Sequence, residues 1–498
     1  MSWNDLIDEQ ALASLLPDAY AHFARPIKES LVVFLSGLPK SSQEQILAEQ
    51  AALPPATTVS ERLGLLARSC PVLHKLGQVL ARDQRLAPEL REQLRKLESM
   101  PPSVPVEAIQ AILSQELGSL DRRGITLLPP AIAEASVAVV IPFRENGTHL
   151  PQQGVFKILK PGIEERLELE LELLGSVGSH LDERCHELRI PELDYRETFE
   201  RVREKLCWEV RLDDEQRHLS AAKAFYQGET DVQIPALLEH CTARVTAMER
   251  VVGDKVTDHR LDCPRDKRLL AKLVTRALVT RPIFSRARSA LFHSDPHAGN
   301  LMHTSDGRLA ILDWSLVGFL GERERVAMGQ IMLAAFTLHA ERIVAVLEDL
   351  DERKQVNRQA LRKVVEGWLR RIRRGQFPGF AWLVGMLDEA TQTARLRVAA
   401  NLMLFRKSLL TLEGVIGELG ADGFRIDHVV ASEFLRHFGR ELPERWFSRS
   451  ASRAFAVRLS NADLAETLLS SPLAIPRFWL AESSELLDQS WASMNAPT

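Results

Sequence analysis

The stretch from Leu291 to Gly318, LFHSDPHAGNLMHTSDGRLAILDWSLVG, constrains this chain more than any other. Pro296 and Gly299 bar DPHAGN from a regular helix, because proline lacks the amide donor and glycine costs backbone entropy. GRLAILD reads as a turn into a buried strand that delivers Asp313 at its end. A loop followed by a short hairpin can then bring Asp295, Asn300 and Asp313 together.

Phosphoryl transfer from ATP needs such a set. One Asp orients or deprotonates the acceptor, an Asn binds a second Mg²⁺, and a further Asp binds Mg²⁺ across the phosphates. H-x-D-x-x-x-x-N, followed by an apolar strand ending in Asp, is that pattern. Two other readings fit the same residues. One is a polar turn capped by Asp and Asn. The other is a metal-dependent hydrolase, in which the alternating His293, Asp295 and His297 share one face of an extended strand and hold a transition metal. Pro296 suits a regular strand poorly, and that reading leaves LAILD without a role.

A phosphoryl-transfer site predicts further parts upstream. GVFKILKPG places Lys157 in an apolar strand, where it either pairs with phosphates or faces solvent. Its partner should be a glutamate on a later helix, and CWEVRLDDEQRHL offers Glu209 and Glu215 on one amphipathic helix. The phosphate loop should precede Lys157, where AEASVAVV (133–140) stands with no glycine. Ala135 and Ser136 are the small residues that let backbone amides approach a phosphate there. AMERVVG (247–253) follows an apolar strand and suits a hinge, with the backbone of Met248, Glu249 and Val251 reading adenine.

Composition excludes little, but usefully. At 498 residues the chain is too long for one ordinary domain. A net charge of −4 argues against nucleic acid as a partner. The five cysteines are scattered and never in C-x-x-C spacing, which reads as reduced thiols in a cytosol-like compartment. The acidic start MSWNDLIDEQ has no signal-peptide texture. The apolar runs at 30–38 and 326–338 fall short of the ~20 residues that span a bilayer. A cytoplasmic protein, peripheral to a membrane at most, is the expectation.

The texture along the chain divides it into a helical segment 1–70, an extension 71–125, a β-rich lobe 126–250, a second lobe 251–345 and a helical remainder 346–498. Within the extension, one or two amphipathic helices are expected, interrupted at Gly77 and Pro88. A helix is expected over 266–290. The basic helical stretch 353–377 suits either a solvated face or contact with anionic lipid head groups. PLAIPRFWLA (472–481) suits a docked C-terminal segment or a lipid contact.

These residues resemble the UbiB/AarF family of atypical protein-kinase-like proteins, called ADCK in eukaryotes. LHKLGQVLARDQRLAPELREQLRKLESMPP is similar to the family's K-x-G-Q segment, AEASVAVV to its Ala-rich loop and VFKILKPGI to its strand lysine and turn. FHSDPHAGNLMHTSDGRLAILDWS is similar to its H-x-D-P-H-x-G-N signature with a D-F-G equivalent. The matches run in family order over roughly residues 70–320.

The resemblance implies an α+β, two-lobe protein-kinase-like fold with a helical N-terminal K-x-G-Q extension and a helical C-terminal region. It implies Lys157 as the strand lysine, Glu215 as its helix partner and Glu209 as the first residue of an E-x-D motif. It implies Asp295 as the catalytic-loop Asp, with Asn300 and Asp313 as Mg²⁺ ligands. Lys75 and Gln78 would be the pair that folds over the active site where a protein kinase admits its peptide. ATP or ADP with Mg²⁺ is the implied cofactor. ATPase or small-molecule or lipid kinase activity is the implied chemistry, linked to ubiquinone or isoprenoid-lipid metabolism. A non-catalytic, nucleotide-regulated lipid-binding or scaffold module is the alternative. The chain departs from the family pattern at Arg211, where E-x-D has Asp, at Ala138-Val139, where the loop has Gly-Gln, and at Trp314-Ser315 within D-F-G. The C-terminal pair of membrane helices found in UbiB proper is not expected in this sequence.

Overall fold

The computed structural model describes residues 3–81, 85–98, 102–146, 152–258, 263–421 and 423–470. PLAIPRFWLA therefore lies outside the described residues. The chain divides into two compact units, Met1–Ser220 with Pro235–Val251, and Ala221–Ile234 with Val252–Thr498.

The first unit begins with helices. Ala24–Gly37, Val59–Ser69, Pro71–Leu80 and the long helix Ile163–Leu188 share one core, in which Phe34, Leu35, Leu66, Val72, Leu167, Leu171, Leu174 and Leu181 are buried. Thr58 and Glu61 close a capping box that starts Val59–Ser69, satisfying amides that the first turn leaves unpaired. Gly77 does not interrupt its helix as expected. The helix Pro71–Leu80 runs through it, and a β-carbon there would stand 2.8 Å from Leu97 Cδ1 and 3.2 Å from Leu94 Cδ2. The glycine serves close packing rather than a break. The interruption near Pro88 is present, with Pro88–Arg95 as a second helix.

A five-stranded sheet follows, with Ala138–Glu145 and Gln152–Leu159 as its long central pair. Ile125–Leu127 and Ala133–Glu134 pair with the first of these, and Val245–Glu249 with the second. The period of two sorts the side chains. Ile141, Phe143, Phe156 and Ile158 point into a core shared with helix Val106–Leu117, where Phe143 and Phe156 stack at 4.0 Å. Lys157 therefore faces the other way.

The second unit carries the stretch that opened the sequence argument. Strand Ser289–His293 pairs antiparallel with Val317–Gly321. Leu301–Thr304 and Leu309–Ile311 form the expected hairpin, flanked by Gly253–Lys255 and Val232–Gln233. The helix expected over 266–290 is shorter. It runs Pro264–Thr275, continues as a π-turn Arg276–Thr280 and stops at Ile283, because the chain must be extended by Ser289 to enter the sheet. From Glu322 onward the described residues form helices joined by loops, with no strand, ending with Asn461–Ser470. No helix among the described residues is long and apolar enough to cross a membrane. In the basic stretch, Arg358 and Arg362 ion-pair with Glu341, Glu348 and Glu366, which spends part of its charge within the fold.

Candidate functional site

Each unit carries one group of the expected residues. In the first unit, Lys157 Nζ lies 2.8 Å from both carboxylate oxygens of Glu215. The two side chains are 13% and 5% exposed, so the pair is nearly withdrawn from water. Glu215 sits in the first turn of helix Leu212–Phe225 beside Asp213 and Asp214, where carboxylates favour the helix dipole. Gln216 fixes that turn in place. Its amide donates to the Thr242 and Val245 carbonyls and to Thr246 Oγ1, and Thr246 is the residue registered with Lys157 across the sheet.

Glu209 and Glu215 do not share a helix, contrary to expectation. Glu209 belongs to the 3-10 turn Cys207–Val210, and the chain bends at Arg211 before the helix begins. Arg211 reaches Asp214 at 3.0 Å and lies over the Trp208 ring at 5.7 Å. The residue standing where E-x-D has Asp thus binds the start of the next helix.

The Ala-rich loop closes as a tight turn in which the Ala135 amide donates to the Ala138 carbonyl at 2.8 Å. Ala135 is exposed and Ser136 buried. Glu134, which sequence reasoning passed over, braces this loop. Its carboxylate accepts from Lys160 at 2.8 Å and from Ser103 Oγ at 3.1 Å. Burial alone would raise its pKa, but Lys160 and the Ser103 donors outweigh it and hold Glu134 below the usual range. The available signal was its place as the single charged residue in AEASVAVV, with Lys160 ending VFKILK.

Met248 and Glu249 end the strand beyond Ala247. The Glu249 carboxylate accepts the Ala236 amide at 3.1 Å, while the Glu249 amide donates to the Ala236 carbonyl at 2.8 Å. Val251 follows, half-buried. On the extension helix, Gln78 and His74 both reach the Leu97 carbonyl, at 3.3 and 3.0 Å, and Lys75 is half-buried. Burial pushes the His74 pKa down to about 4, so its imidazole is neutral. Beneath this helix Glu170 is fully buried and accepts the Val72 amide at 2.9 Å.

In the second unit, His293 organises the loop. Its Nε2 lies 2.9 Å from the Asp313 carbonyl and 3.1 Å from that of Leu312, and its Nδ1 accepts the Asp295 amide at 3.2 Å. Burial lowers its pKa, which keeps the ring neutral with one donor and one acceptor nitrogen. The Asn300 side-chain Nδ2 donates to the Asp295 backbone carbonyl at 3.1 Å, and the Asn300 backbone carbonyl accepts the Leu312 amide at 2.8 Å. The Asn300 side chain and the His293 ring thereby tie Asp295, Asn300 and Asp313 into one element.

Asp313 has φ +50°, a left-handed conformation that a non-glycine residue adopts at a cost. Trp314 anchors it, buried, with Nε1 donating to the Ile311 carbonyl at 3.1 Å and its ring edge-on to His293 at 4.9 Å.

The alternating His293, Asp295 and His297 do not form a metal face. The strand ends at His293, since Pro296 cannot continue it, and Gly299 donates to His297 Nδ1. Among the described residues no group of three His, Cys, Asp or Glu could hold a metal ion by itself. Asn300 and Asp313 nevertheless suit Mg²⁺. That ion favours one or two hard oxygen ligands from protein and completes its shell with water and substrate phosphates.

The profile of the ABC1 atypical kinase-like domain matches residues 96–347, half of the 498-residue chain. The chain belongs to the ABC1 atypical kinase-like family. Among relatives of this family, the probable protein kinase UbiB of Xanthomonas oryzae is 27% identical over 78% of this chain and 71% of its own length. That of Xanthomonas campestris is 28% identical over 69% of this chain and 64% of its own. An uncharacterized chloroplastic aarF domain-containing protein kinase of Arabidopsis thaliana is 27% identical, covering 78% and 70%. A Mycobacterium tuberculosis protein solved in complex with erythromycin is 18% identical with a TM-score of 0.48, covering 76% of this chain and 95% of its own. The ABC1 fold is the α+β, kinase-like one that the motifs implied, with helical regions flanking the domain.

Proposed function

We propose that this ABC1 protein binds ATP or ADP with Mg²⁺ and transfers the γ-phosphoryl group of ATP to water or to a small or lipid acceptor. The observation that carries this reading is the Lys157–Glu215 pair. A lysine turned away from its core and held by both oxygens of a buried carboxylate is a fixed cation, suited to meet α- and β-phosphates. Asp295 would orient the acceptor hydroxyl or water and take its proton. The new bond from acceptor oxygen to γ-phosphorus forms as the β–γ bridging P–O bond breaks, and ADP leaves. Asn300 and Asp313 would hold Mg²⁺, which supplies neutralisation of the phosphate charge. The probable protein kinases UbiB among the relatives support kinase-like chemistry, and the resemblance to the UbiB/AarF family suggests a link to ubiquinone or isoprenoid-lipid metabolism.

A second reading keeps the nucleotide and drops the chemistry, giving a nucleotide-regulated lipid-binding or scaffold module. Arg211 in place of the E-x-D aspartate and the glycine-free loop favour it. Steady-state ATP turnover by purified protein with Mg²⁺, with and without lipid vesicles, separates the two. Turnover lost in Asp295→Asn supports the enzyme. Nucleotide binding without turnover supports the module, and no nucleotide binding at all defeats both.

A further inference from the structure

Helix Ala400–Glu418 lies beyond the residues matched by the ABC1 profile, yet it meets the 292–295 stretch at three points. Phe405 sets its ring edge-on to Phe292 at 5.1 Å. Ser408 Oγ donates to the His293 carbonyl at 2.8 Å in a buried contact. Lys407 Nζ stands 3.4 Å from Asp295 Oδ1.

The helix phase explains the third contact. Phe405, Ser408, Leu409 and Leu412 form its buried face, which leaves Lys407 at the rim, about half-exposed, with its ammonium turned to the carboxylate. Asp295-Pro-His-Ala-Gly-Asn300 contains no Lys or Arg, and Lys407 brings a cation to Asp295 from outside this loop. The Ser408 bond and the Phe405 contact fix where this one comes from.

We propose that Lys407 is a positioning residue for Asp295. Its ammonium aims the carboxylate that orients the acceptor and reduces the negative charge presented to a phosphate-bearing substrate. The proposal rests on the phosphoryl-transfer reading above and adds to it a residue from outside the matched domain. An ion pair with one partner half-exposed contributes little to stability, so removing it should leave the fold intact and report on Asp295 alone.

The test is ATP turnover with Mg²⁺ by the full chain as wild type, Lys407→Ala, Lys407→Arg, Asp295→Asn and the double variant Asp295→Asn/Lys407→Ala. Lys407→Ala should lower kcat by about two- to fivefold, the scale of a partly exposed ion pair. KM for ATP should stay within about twofold, because an interaction needed only in the transition state lowers kcat alone. Lys407→Arg should recover most of the loss, and Lys407→Ala should cost nothing more once Asp295 is Asn. The melting temperature should be unchanged throughout. Wild-type turnover in Lys407→Ala, alongside loss in Asp295→Asn, would overturn the Lys407 proposal and leave the enzyme reading standing. A lowered melting temperature with no recovery by arginine would assign Lys407 a structural role and also overturn it. Absence of turnover in the wild type would overturn both.

Discussion

Lys157 and Glu215 meet through two contacts of 2.8 Å while almost wholly screened from water. Removing one partner of such a pair strands the other charge, at a cost of roughly 3–5 kcal/mol, whereas replacing both by apolar groups is often neutral. Lys157→Met should therefore destabilise the protein strongly, and Lys157→Met/Glu215→Leu should recover much of the loss. Neither variant should bind nucleotide well. Denaturant unfolding of both variants checks the first statement, and nucleotide titration the second. Equal destabilisation in the two variants would show that the pair holds no strandable charge.

Asp313 offers a cleaner separation of metal from fold. Asn tolerates the left-handed region nearly as well as Asp, so Asp313→Asn keeps the backbone while removing the charge. Mg²⁺-dependent nucleotide affinity should fall about tenfold or more, since a charge-assisted contact is worth roughly 1.5–3 kcal/mol. Metal-free nucleotide binding should hold or rise, because a carboxylate repels bare phosphate. Calorimetric titration of wild type and variant, with and without Mg²⁺, reads this directly. Identical affinities in all four conditions would make Asp313 structural.

Glu170 makes stability depend on pH. Burial pushes its carboxyl up to about 7, against an ordinary value of 4.5, with the Val72 amide and Arg166 opposing. Between these values the folded state binds more protons than the unfolded one, so this group's contribution falls as pH rises through the window. Glu170→Gln keeps an oxygen for the Val72 amide and removes the titration. Melting temperatures of the variant should drop less than those of the wild type between about pH 5 and about pH 8. His74 acts oppositely, because its depressed pKa of about 4 lets acid charge the unfolded chain first. Acid-side destabilisation should persist in the variant. Parallel melting curves for the two proteins across this range would refute the Glu170 assignment.

Two glycines on helix Ile163–Leu188 should respond in opposite senses to alanine. At Gly178 a β-carbon would stand 2.7 Å from Arg196 Cα and 2.9 Å from its amide nitrogen, and backbone cannot step aside. At Gly175 it would meet nothing within 4 Å. Overpacking costs typically 1–3 kcal/mol, and alanine gains about 1 kcal/mol over glycine inside a helix. Gly178→Ala should therefore destabilise and Gly175→Ala stabilise, as read by urea midpoints. A stabilising Gly178→Ala would mean that the neighbouring helix can shift.

What the sequence determined by itself was whatever depends on short range. Pro296 and Gly299 exclude a helix, the apolar run around Lys157 makes a strand, and Gly307 opens the hairpin that carries Asp313 to its place. These follow from backbone sterics and periodicity within a few residues, which any reader of the chain can apply. Membership of the ABC1 family was legible for the same reason, since its motifs are local.

Tertiary structure decided most of the partners. The residues of the acidic stretch left Glu209 and Glu215 open, and only the family resemblance favoured Glu215. A bend at Arg211 and the grip of Gln216 on the strand end separate their fates. Gly77 looked like a breaker until Leu94 and Leu97 packed against it. Glu134 with Lys160, Glu170 with Val72, and Lys407 with Asp295 each join segments far apart in the chain. Such pairings are selected by burial and by the desolvation of charge in the folded interior, and neither quantity exists until the distant segments have met.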